Sequence, residues 1–276
     1  MQEHIITIYC LCDDFLRVWG HADDPQAQMS DAEVMTVALV AAAFFVGNQR
    51  LSAVFLREHG YMTRVLSPGR LNRRLHAIPE ATWQALFALL GRVHRQDNAG
   101  QEYAADSLPV PACDNIRIRR SRLYPLRATG GAFRGYVASK RRFFYGLRVH
   151  LLITAGGQPV EMALAPGAEA DIAAFRQMTL DLPEGARVFA DAAYLDGGYA
   201  QAAGEAAGVA LVAQRRGNSL DPLPPWVAYL CDRTRKRIET TFSQIAAGFA
   251  RSIHAVTARG FELKVFLTVL AYAITA

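Results

Sequence analysis

The chain has 276 residues, of which 51% are apolar and 20% are charged. This composition is typical of a globular protein and excludes a disordered or fibrous chain. Four scattered cysteines without CxxC spacing exclude a disulfide framework and a zinc-binding cysteine motif, and they favour a reducing, cytoplasmic location. A net charge of +5 and a pI near 9.2 suggest an anionic partner.

Residues 1–95 show helical periodicity and almost no strand pattern. In "SDAEVMTVALVAAAFF", Ser30 and Glu33 have the spacing of a capping box, which predicts the start of a helix. Gly60 predicts the end of another helix over "LSAVFLREHG". The apolar runs at 37–46 and 265–276 are shorter than a bilayer requires, so we expect both to be buried helices.

A short basic helix is predicted after the Pro68-Gly69 turn. It carries Arg70, Arg73 and Arg74 near one side. A helix can present cations to a DNA groove in this way, although a solvated face of a structural helix is an equally good interpretation. On this basis we expect residues 1–95 to be a helical DNA-binding domain.

The pattern changes after the polar segment "QDNAGQ" at 96–101, which we interpret as a linker to a second domain at 102–276. A strand over "EYAADSLPV", ended by Pro109 and Pro111, is followed by a hairpin that turns at Gly156-Gly157. Helix, strand, helix, strand and a long final helix come next. This order predicts an α/β fold with a ribonuclease H-like mixed sheet of five strands, flanked by helices and preceded by the all-α region.

Three carboxylates occupy positions that chemistry can use in this fold: Asp106 in the first strand, Asp191 at the carboxyl end of the fourth, and Glu239 on the last helix. Taken alone, each acid also has a structural explanation. Asp106 could be a strand-edge or turn residue, Asp191 a helix cap or turn residue, and Glu239 the partner of Arg235 in a surface ion pair. Converging carboxylates suit Mg²⁺ or Mn²⁺. Two such ions can activate a water or a 3′-hydroxyl and stabilise the leaving oxygen.

The segment from Asn115 to Val160 contains no acidic residue. Its ten cations are Arg117, Arg119, Arg120, Arg122, Arg127, Arg134, Lys140, Arg141, Arg142 and Arg148. We expect this basic segment to contact the phosphates of duplex DNA. The interleaved aromatic residues are Tyr124, Phe133, Tyr136, Phe143, Phe144 and Tyr145. These rings are able to stack on unpaired bases, but we expect Phe144, with Leu147, to lie in the core. The alternative is a solvated loop with some aromatic residues in the core.

Together these segments resemble the DDE transposases of bacterial insertion sequences, and most closely the insertion sequence 982 family. The resemblance covers nearly the whole chain. It is carried by "LSPGRLNRRLHAI", "ADS" at Asp106, "FFYGLRVHLLIT", "ADAAYLDGGY" at Asp191 and "RTRKRIETTFSQI" at Glu239. The separations of the three acids suit a DDE core without a large inserted domain.

The resemblance implies a protein that binds terminal inverted repeats, cleaves the element ends with Mg²⁺-bound water, and joins the freed 3′-hydroxyl to target DNA. Asp106, Asp191 and Glu239 would hold two Mg²⁺ ions, for which Mn²⁺ would substitute, and Arg235 would position a phosphate or the glutamate. A homodimer or higher oligomer on DNA, at the nucleoid in the bacterial cytoplasm, is also implied.

Related transposases carry a Y-x2-R-x3-E-x6-K signature on the last helix, which this chain matches only in part. Arg235 and Glu239 match, whereas Asp232 and Ala246 occupy the tyrosine and lysine positions. Arg251, farther along the chain, is a candidate for the missing cation.

Three other functions are compatible with parts of the pattern. A nuclease of the same fold would share the acids and the basic segment but would not join DNA ends. A catalytically silent, DNA-binding transposase derivative would not need the acids. A two-carboxylate glycosidase would leave the ten cations unexplained.

Overall fold

The computed structural model describes residues 1–137, 140–194, 197–215, 222–250 and 253–276. The α-helices in these residues are α1 (Gln2–Val18), α2 (Asp31–Phe44), α3 (Gln49–Glu58), α4 (Pro68–Ala77), α5 (Glu80–Gln96), α6 (Leu126–Thr129), α7 (Asp171–Phe175), α8 (Gly197–Ala207), α9 (Pro225–Gly248) and α10 (Ala258–Thr275). The strands are β1 (Glu102–Cys113), β2 (Arg134–Val137), β3 (Arg142–Thr154), β4 (Pro159–Pro166), β5 (Arg187–Ala190) and β6 (Ala210–Ala213).

The chain divides into two compact units. The first comprises Met1–Leu89, Ile245–Ala255 and Arg259–Ala276, and the second comprises Leu90–Gln244 and Val256–Ala258. The predicted boundary near residue 95 therefore lies close to the division. The C-terminal helix α10 was predicted within the second domain but belongs to the first unit.

The first unit is helical, and its local signals act as predicted. The Ser30 hydroxyl oxygen accepts from the Glu33 backbone N–H at 3.1 Å, and the Glu33 carboxylate accepts from the Ser30 N–H at 2.8 Å. This capping box begins α2, whose residues from Ala32 to Ala42 are buried. Gly60 has a φ of +74° in the turn that ends α3, as its position predicted.

The two apolar runs are buried helices, as predicted, because α2 and most of α10 lie in the interior of this unit. Within the described part of the chain, no single helix is long and apolar enough to cross a bilayer. Only α2 and α3 taken together, with a bend of 108° between them, reach that length and hydropathy.

The second unit is built on the predicted mixed sheet, which has six strands rather than five. Its order is β2-β3-β1-β5-β6, and β4 also pairs with β3. β1, β5 and β6 are parallel, whereas β3 pairs antiparallel with β1, β2 and β4. The short strand β2 was missed because Gly135 and its exposed neighbours give it no apolar alternation.

The prediction that Pro109 and Pro111 end the first strand is wrong, since β1 continues to Cys113. Its pairing with β5 stops at Ala105, so beyond that residue β3 is its only partner among the described strands. The Ser107 N–H, two residues before Pro109, donates to the Asp106 side chain and not to β3. A proline on this unpaired side removes no ladder hydrogen bond.

One face of the sheet carries a core that reaches from β1 to α7. Its largest fully buried members are Tyr103, Phe175 and Tyr194, which pack with Leu152 and Val188. Because side chains alternate along a strand, Tyr103, Ala105 and Ser107 face this core, whereas Ala104 and Asp106 face α9.

Gly146 is the glycine on which the pairing of β1 with β3 depends. A Cβ at this position would collide with the Val110 carbonyl oxygen and lie 2.6 Å from the Ala112 nitrogen. We expect Gly146→Ala to lower the free energy of unfolding by about 2–3 kcal/mol in a urea titration. Gly100→Ala is the matched control, since nothing lies within 4 Å of its Cβ. Equal unfolding midpoints for the two variants would contradict this account.

Candidate active site

The parallel pairing of β1 with β5 brings two of the predicted carboxylates to one edge of the sheet. Ala105 pairs with Ala190, the last residue pair of this ladder. Asp106 and Asp191 follow these partners directly, so their side chains leave neighbouring strands at the same level. The placement of Asp191 at a strand end is therefore as predicted.

A small pocket contains both aspartates and opens against α9. Its lining residues are Ala104, Ala105, Asp106, Phe189, Ala190, Asp191, Gln214, Cys231, Arg235 and Ile238. The structure thus brings together three of the four predicted catalytic residues: Asp106, Asp191 and Arg235. Cys231 and Ile238 are buried and supply the apolar floor on the helix side.

The environment of Asp106 favours its neutral form. Burial, with smaller contributions from the negative charges of Asp191 and Asp171, raises the pKa of Asp106 to about 7. The Ser107 N–H, which donates to the carboxylate at 2.7 Å, and the Arg235 cation act in the opposite direction. The balance of these effects leaves the pKa of Asp106 well above its usual value of 3.8.

Arg235 connects the pocket to a polar chain that the sequence did not indicate. Its Nη1 donates to the Gln214 side-chain oxygen at 3.3 Å, and the Gln214 amide donates to Asp232 at 3.2 Å. Gln214 follows β6, and Asp232 occupies the tyrosine position of the signature. Asp232 therefore takes part in orienting Arg235 through Gln214.

Glu239 is not brought to the two aspartates. Its side chain is 56% exposed, it accepts from Arg235 Nε at 3.0 Å, and it is absent from the described lining of the pocket. This is the surface ion pair that was the structural alternative for Glu239. At the lysine position Ala246 is exposed, and Arg251 lies outside the described residues.

The predicted cations of α4 divide into two kinds. Arg70 and Arg73 are exposed, together with Asn72 between them. Arg74 donates to the Asp31 carboxylate at 2.6 Å and is 25% exposed. Arg74 therefore holds α4 against α2, which leaves Arg70 and Arg73 as the cations that face solvent.

Most cations of the basic segment lie on the surface of the second unit. The exposed ones are Arg117, Arg119, Arg120, Arg122, Arg127, Arg134, Lys140, Arg141 and Arg142. Arg148 differs because it is 16% exposed, and its guanidinium donates to Gly167 O, Ser107 Oγ and Tyr136 O. All of its nitrogens are engaged within the protein, so its predicted contact with DNA phosphate does not fit this position.

The aromatic residues of the basic segment are mainly structural. Tyr124, Phe144 and Tyr145 are buried, and Tyr124 stacks on Phe133 at 3.8 Å. The expected core positions of Phe144 and Leu147 are confirmed, whereas base stacking by Tyr124 and Tyr145 does not fit their burial. Tyr136 and Phe143 remain about half exposed.

A second exposed aromatic pair lies on α9, where the sequence interpretation named none. Trp226 and Tyr229 are 64% and 65% exposed. The exposed cations Arg233 and Lys236 continue this side of the helix. The signal was present in the sequence as an i, i+3, i+7 spacing opposite the apolar stripe of Ile238.

The donor set at the sheet edge fits a divalent cation. Two carboxylates, one of them buried and surrounded by further negative charge, present the hard oxygen ligands that Mg²⁺ and Mn²⁺ prefer. Among the described residues, the group whose three ligand atoms lie within 4.8 Å of one another is elsewhere, at His21, Asp23 and Asp31. There Arg74 already neutralises Asp31.

The raised pKa of Asp106 generates a pH dependence in metal-free protein. The folded state retains a proton that the unfolded state releases near the ordinary value of 3.8. Stability is therefore lost as the pH rises from about 4 to about 7. At pH 8 with EDTA, we expect Asp106→Asn to be more stable than wild type by on the order of 2–4 kcal/mol.

The difference should shrink as the pH falls from about 7 towards 4, because Asp106 is then protonated in the folded state and, near pH 3.8, becomes protonated in the unfolded state as well. Thermal unfolding across this pH range measures it, with Asp97→Asn as a control because Asp97 is exposed. A difference in Tm between Asp106→Asn and wild type that stays constant with pH would show that this carboxyl does not titrate there.

Comparison with known proteins agrees with this geometry. The family described as Transposase DDE domain matches residues 98–274, which includes both aspartates, Arg235 and Glu239. No curated protein and no solved structure matches the chain. We conclude that the chain belongs to the Transposase DDE domain family, a class of nucleic-acid-cleaving enzymes that uses divalent metal ions.

Proposed function

We propose that this protein is an insertion-sequence transposase that binds the terminal inverted repeats of its element, cleaves DNA at the element ends and joins them to target DNA. The observation that carries the proposal is the convergence of Asp106, Asp191 and Arg235 in one pocket of a DDE-family chain. The segments that resemble the insertion sequence 982 family support an assignment to that group.

Asp106 and Asp191 are the residues that would hold Mg²⁺ or Mn²⁺, and Glu239 would complete the set once its bond to Arg235 is released. When bound, a pair of such ions activates the attacking oxygen and stabilises the leaving oxygen of a phosphodiester. Asp106 acts as a ligand in its ionised form, which the Arg235 cation and the Ser107 N–H favour.

Arg235 has a position that suits a DNA phosphate. Its side chain is 54% exposed and borders the pocket between Gln214 and Glu239. A guanidinium with free N–H groups at such an edge can bind a phosphate oxygen in two places. We expect Arg235 to bind and orient the scissile phosphate, and to release its hydrogen bond to Glu239 when it does so.

Two basic surfaces support duplex DNA as the partner, one on each unit. On the first unit, Arg70 and Arg73 project from α4 with Asn72 between them. On the second, nine exposed cations between Arg117 and Arg142 lie in a segment without acids. Such surfaces bind phosphates and release counterions. A bacterial chromosome as target implies action in the cytoplasm at the nucleoid, and pairing of two element ends implies a dimer or higher oligomer.

One observation favours a second candidate, a catalytically silent DNA-binding derivative. Glu239 lies outside the pocket and is bonded to Arg235, an arrangement that a protein without catalytic use for the glutamate would tolerate. The cleavage experiment below distinguishes the two.

The catalytic proposal predicts that Asp191→Asn abolishes cleavage. End-labelled duplexes from both flanks of the gene are incubated with purified protein and Mg²⁺ or Mn²⁺. Wild type should give site-specific cuts and joined products, and the variant should lose activity by on the order of 10³-fold while still binding DNA. Asp97→Asn should cleave as wild type does.

Cuts without joined products would assign the protein to the nuclease alternative. Binding without cuts by wild type would support the silent derivative.

The division of the α4 cations predicts two different phenotypes. Arg70→Ala combined with Arg73→Ala should weaken duplex binding and reduce the salt slope of the association constant by about 2, with an unchanged Tm. Arg74→Ala should lower the free energy of unfolding by about 1–3 kcal/mol, because Asp31 loses its ion pair with Arg74 and retains its contact with His21.

Fluorescence anisotropy at several salt concentrations and thermal unfolding measure the two effects. An undiminished salt slope in the double variant would exclude α4 from the DNA interface.

A further inference from the structure

A second polar cluster lies on the face of the sheet opposite α9. Its members are Ser107, Arg148, His150, Asp171 and Tyr194. Ser107 pairs with His150 across β1 and β3, so both side chains project from the same face. That face is covered by α7, which begins with Asp171. None of these five residues lines the catalytic pocket on the other face.

Ser107 connects this cluster to Asp106. Its hydroxyl donates to Asp171 Oδ1 at 2.9 Å and accepts from Arg148 Nη1 at 3.1 Å. Its backbone N–H donates to the Asp106 carboxylate at 2.7 Å. The side chain of Ser107 is thus held on one face while its peptide holds a carboxylate on the other.

Tyr194 connects the cluster to Asp191 in the same manner. Its backbone N–H donates to the Asp191 carbonyl at 3.1 Å, in the turn whose Ala193 N–H donates to the Asp191 carboxylate at 2.6 Å. The Tyr194 side chain is 1% exposed and packs edge-on against Phe175 of α7, with ring centroids 5.3 Å apart. The tyrosine therefore anchors the turn that presents Asp191.

His150 lies between the two anchors. Its Nδ1 is 3.4 Å from the Tyr194 hydroxyl oxygen and 4.0 Å from Asp171 Oδ1. The ring is 1% exposed, and burial lowers the pKa of His150 to about 4, so the imidazole is neutral at neutral pH. The neutral ring bonds the Tyr194 hydroxyl and lies next to the Asp171 carboxylate without adding charge to the core.

We propose that Ser107, His150, Asp171 and Tyr194 are positioning residues that fix the separation of Asp106 and Asp191 from the opposite face of the sheet. This inference rests on the proposed function in that the two aspartates hold the metal. Outer partners of metal ligands set ligand orientation and contribute to metal affinity. Here one cluster controls two ligands on different strands.

The chain offers a matched pair of variants for the test. Tyr194 and Tyr103 are both fully buried in the same core, and each carries one hydroxyl. The Tyr194 hydroxyl meets His150, whereas the Tyr103 hydroxyl has no hydrogen-bond partner in the described structure. Tyr194→Phe and Tyr103→Phe therefore each remove one buried hydroxyl from the same core, and only Tyr194→Phe removes a contact within the cluster.

The primary measurement is Mn²⁺ binding to the DNA-free protein, followed by electron paramagnetic resonance. We expect Tyr194→Phe to weaken Mn²⁺ binding roughly tenfold and Tyr103→Phe to match wild type. In cleavage assays, the Mn²⁺ concentration for half-maximal rate should rise by the same factor in Tyr194→Phe, with unchanged DNA affinity. Wild-type Mn²⁺ binding in Tyr194→Phe would overturn the proposal, as would an equal loss in both variants.

A double-mutant cycle tests whether the two anchors act as one cluster. Ser107→Ala removes a hydrogen bond to Asp171 next to Asp106, and Tyr194→Phe removes the contact with His150 next to Asp191. The two positions are connected through the contact between His150 and Asp171. Non-additive losses of Mn²⁺ affinity are expected, and additive losses would overturn a shared cluster. Ser107→Ala alone also carries the test should Tyr194→Phe fail to fold.

Failure of this proposal is distinguishable from failure of the proposed function. If wild type binds Mn²⁺, Tyr194→Phe weakens this binding, and wild type cuts no DNA, the positioning role stands and the transposase is removed. A protein that cuts and joins DNA, with Tyr194→Phe and Ser107→Ala unchanged in Mn²⁺ affinity, removes the positioning role alone.

Discussion

The parallel pairing of β1 with β5 is the constraint on which the site depends. A parallel ladder keeps its strands in level register, so the residues after Ala105 and Ala190 must leave the sheet side by side. Both are aspartates. The fold therefore places two like charges together at a partly buried edge, and the pKa of Asp106, raised to about 7, records the resulting burial and repulsion. The donors around them, from Ser107, Ala193 and Arg235, lower this energy but do not remove it.

A site of this kind is less stable without its cation than with it. Two carboxylates that repel each other in the free protein attract a divalent ion through the same field, so metal affinity and loss of stability have one origin. Natural proteins depart from local consistency mainly at functional sites. The rest of the second unit is locally consistent, with apolar strands and an apolar stripe on α9 at Ile238 and Phe242. The exceptions are Asp106, Asp191 and the buried polar cluster around His150.

How much the sequence predicted depends on the range of the interaction involved. Signals local in sequence were reliable: the Ser30 capping box begins α2, Gly60 ends α3, and the Asp191 strand end is where the apolar run stopped. Properties set by distant partners were not predictable. Asp31 holds Arg74, and Gly167, Ser107 and Tyr136 hold Arg148. A basic pattern cannot show which of its members are already paired.

The same limit applies to Asp171 and His150. Neither residue belongs to a motif in the sequence, and only the register of β3 against β1 and the position of α7 bring them to Ser107. Pro109 failed as a strand terminator for a related reason, since its effect depends on whether β5 still pairs at that level. The positions of Asp106 and Asp191 were predictable because parallel strands that pair place the residues after their last pair at the same edge of the sheet.

Glu239 differs physically from the two aspartates. Its partner Arg235 lies four residues away on one exposed helix face, and such a pair contributes only about 0.3–0.5 kcal/mol. Moving Glu239 towards Asp106 and Asp191 would add a third negative charge to an edge that already disfavours the second. The ion pair is therefore easily broken, but the move is unfavourable until a cation neutralises the edge. The pairing of β1 with β5 fixes the positions of the two aspartates, whereas Glu239 lies on an exposed helix face where Arg235 is its described partner.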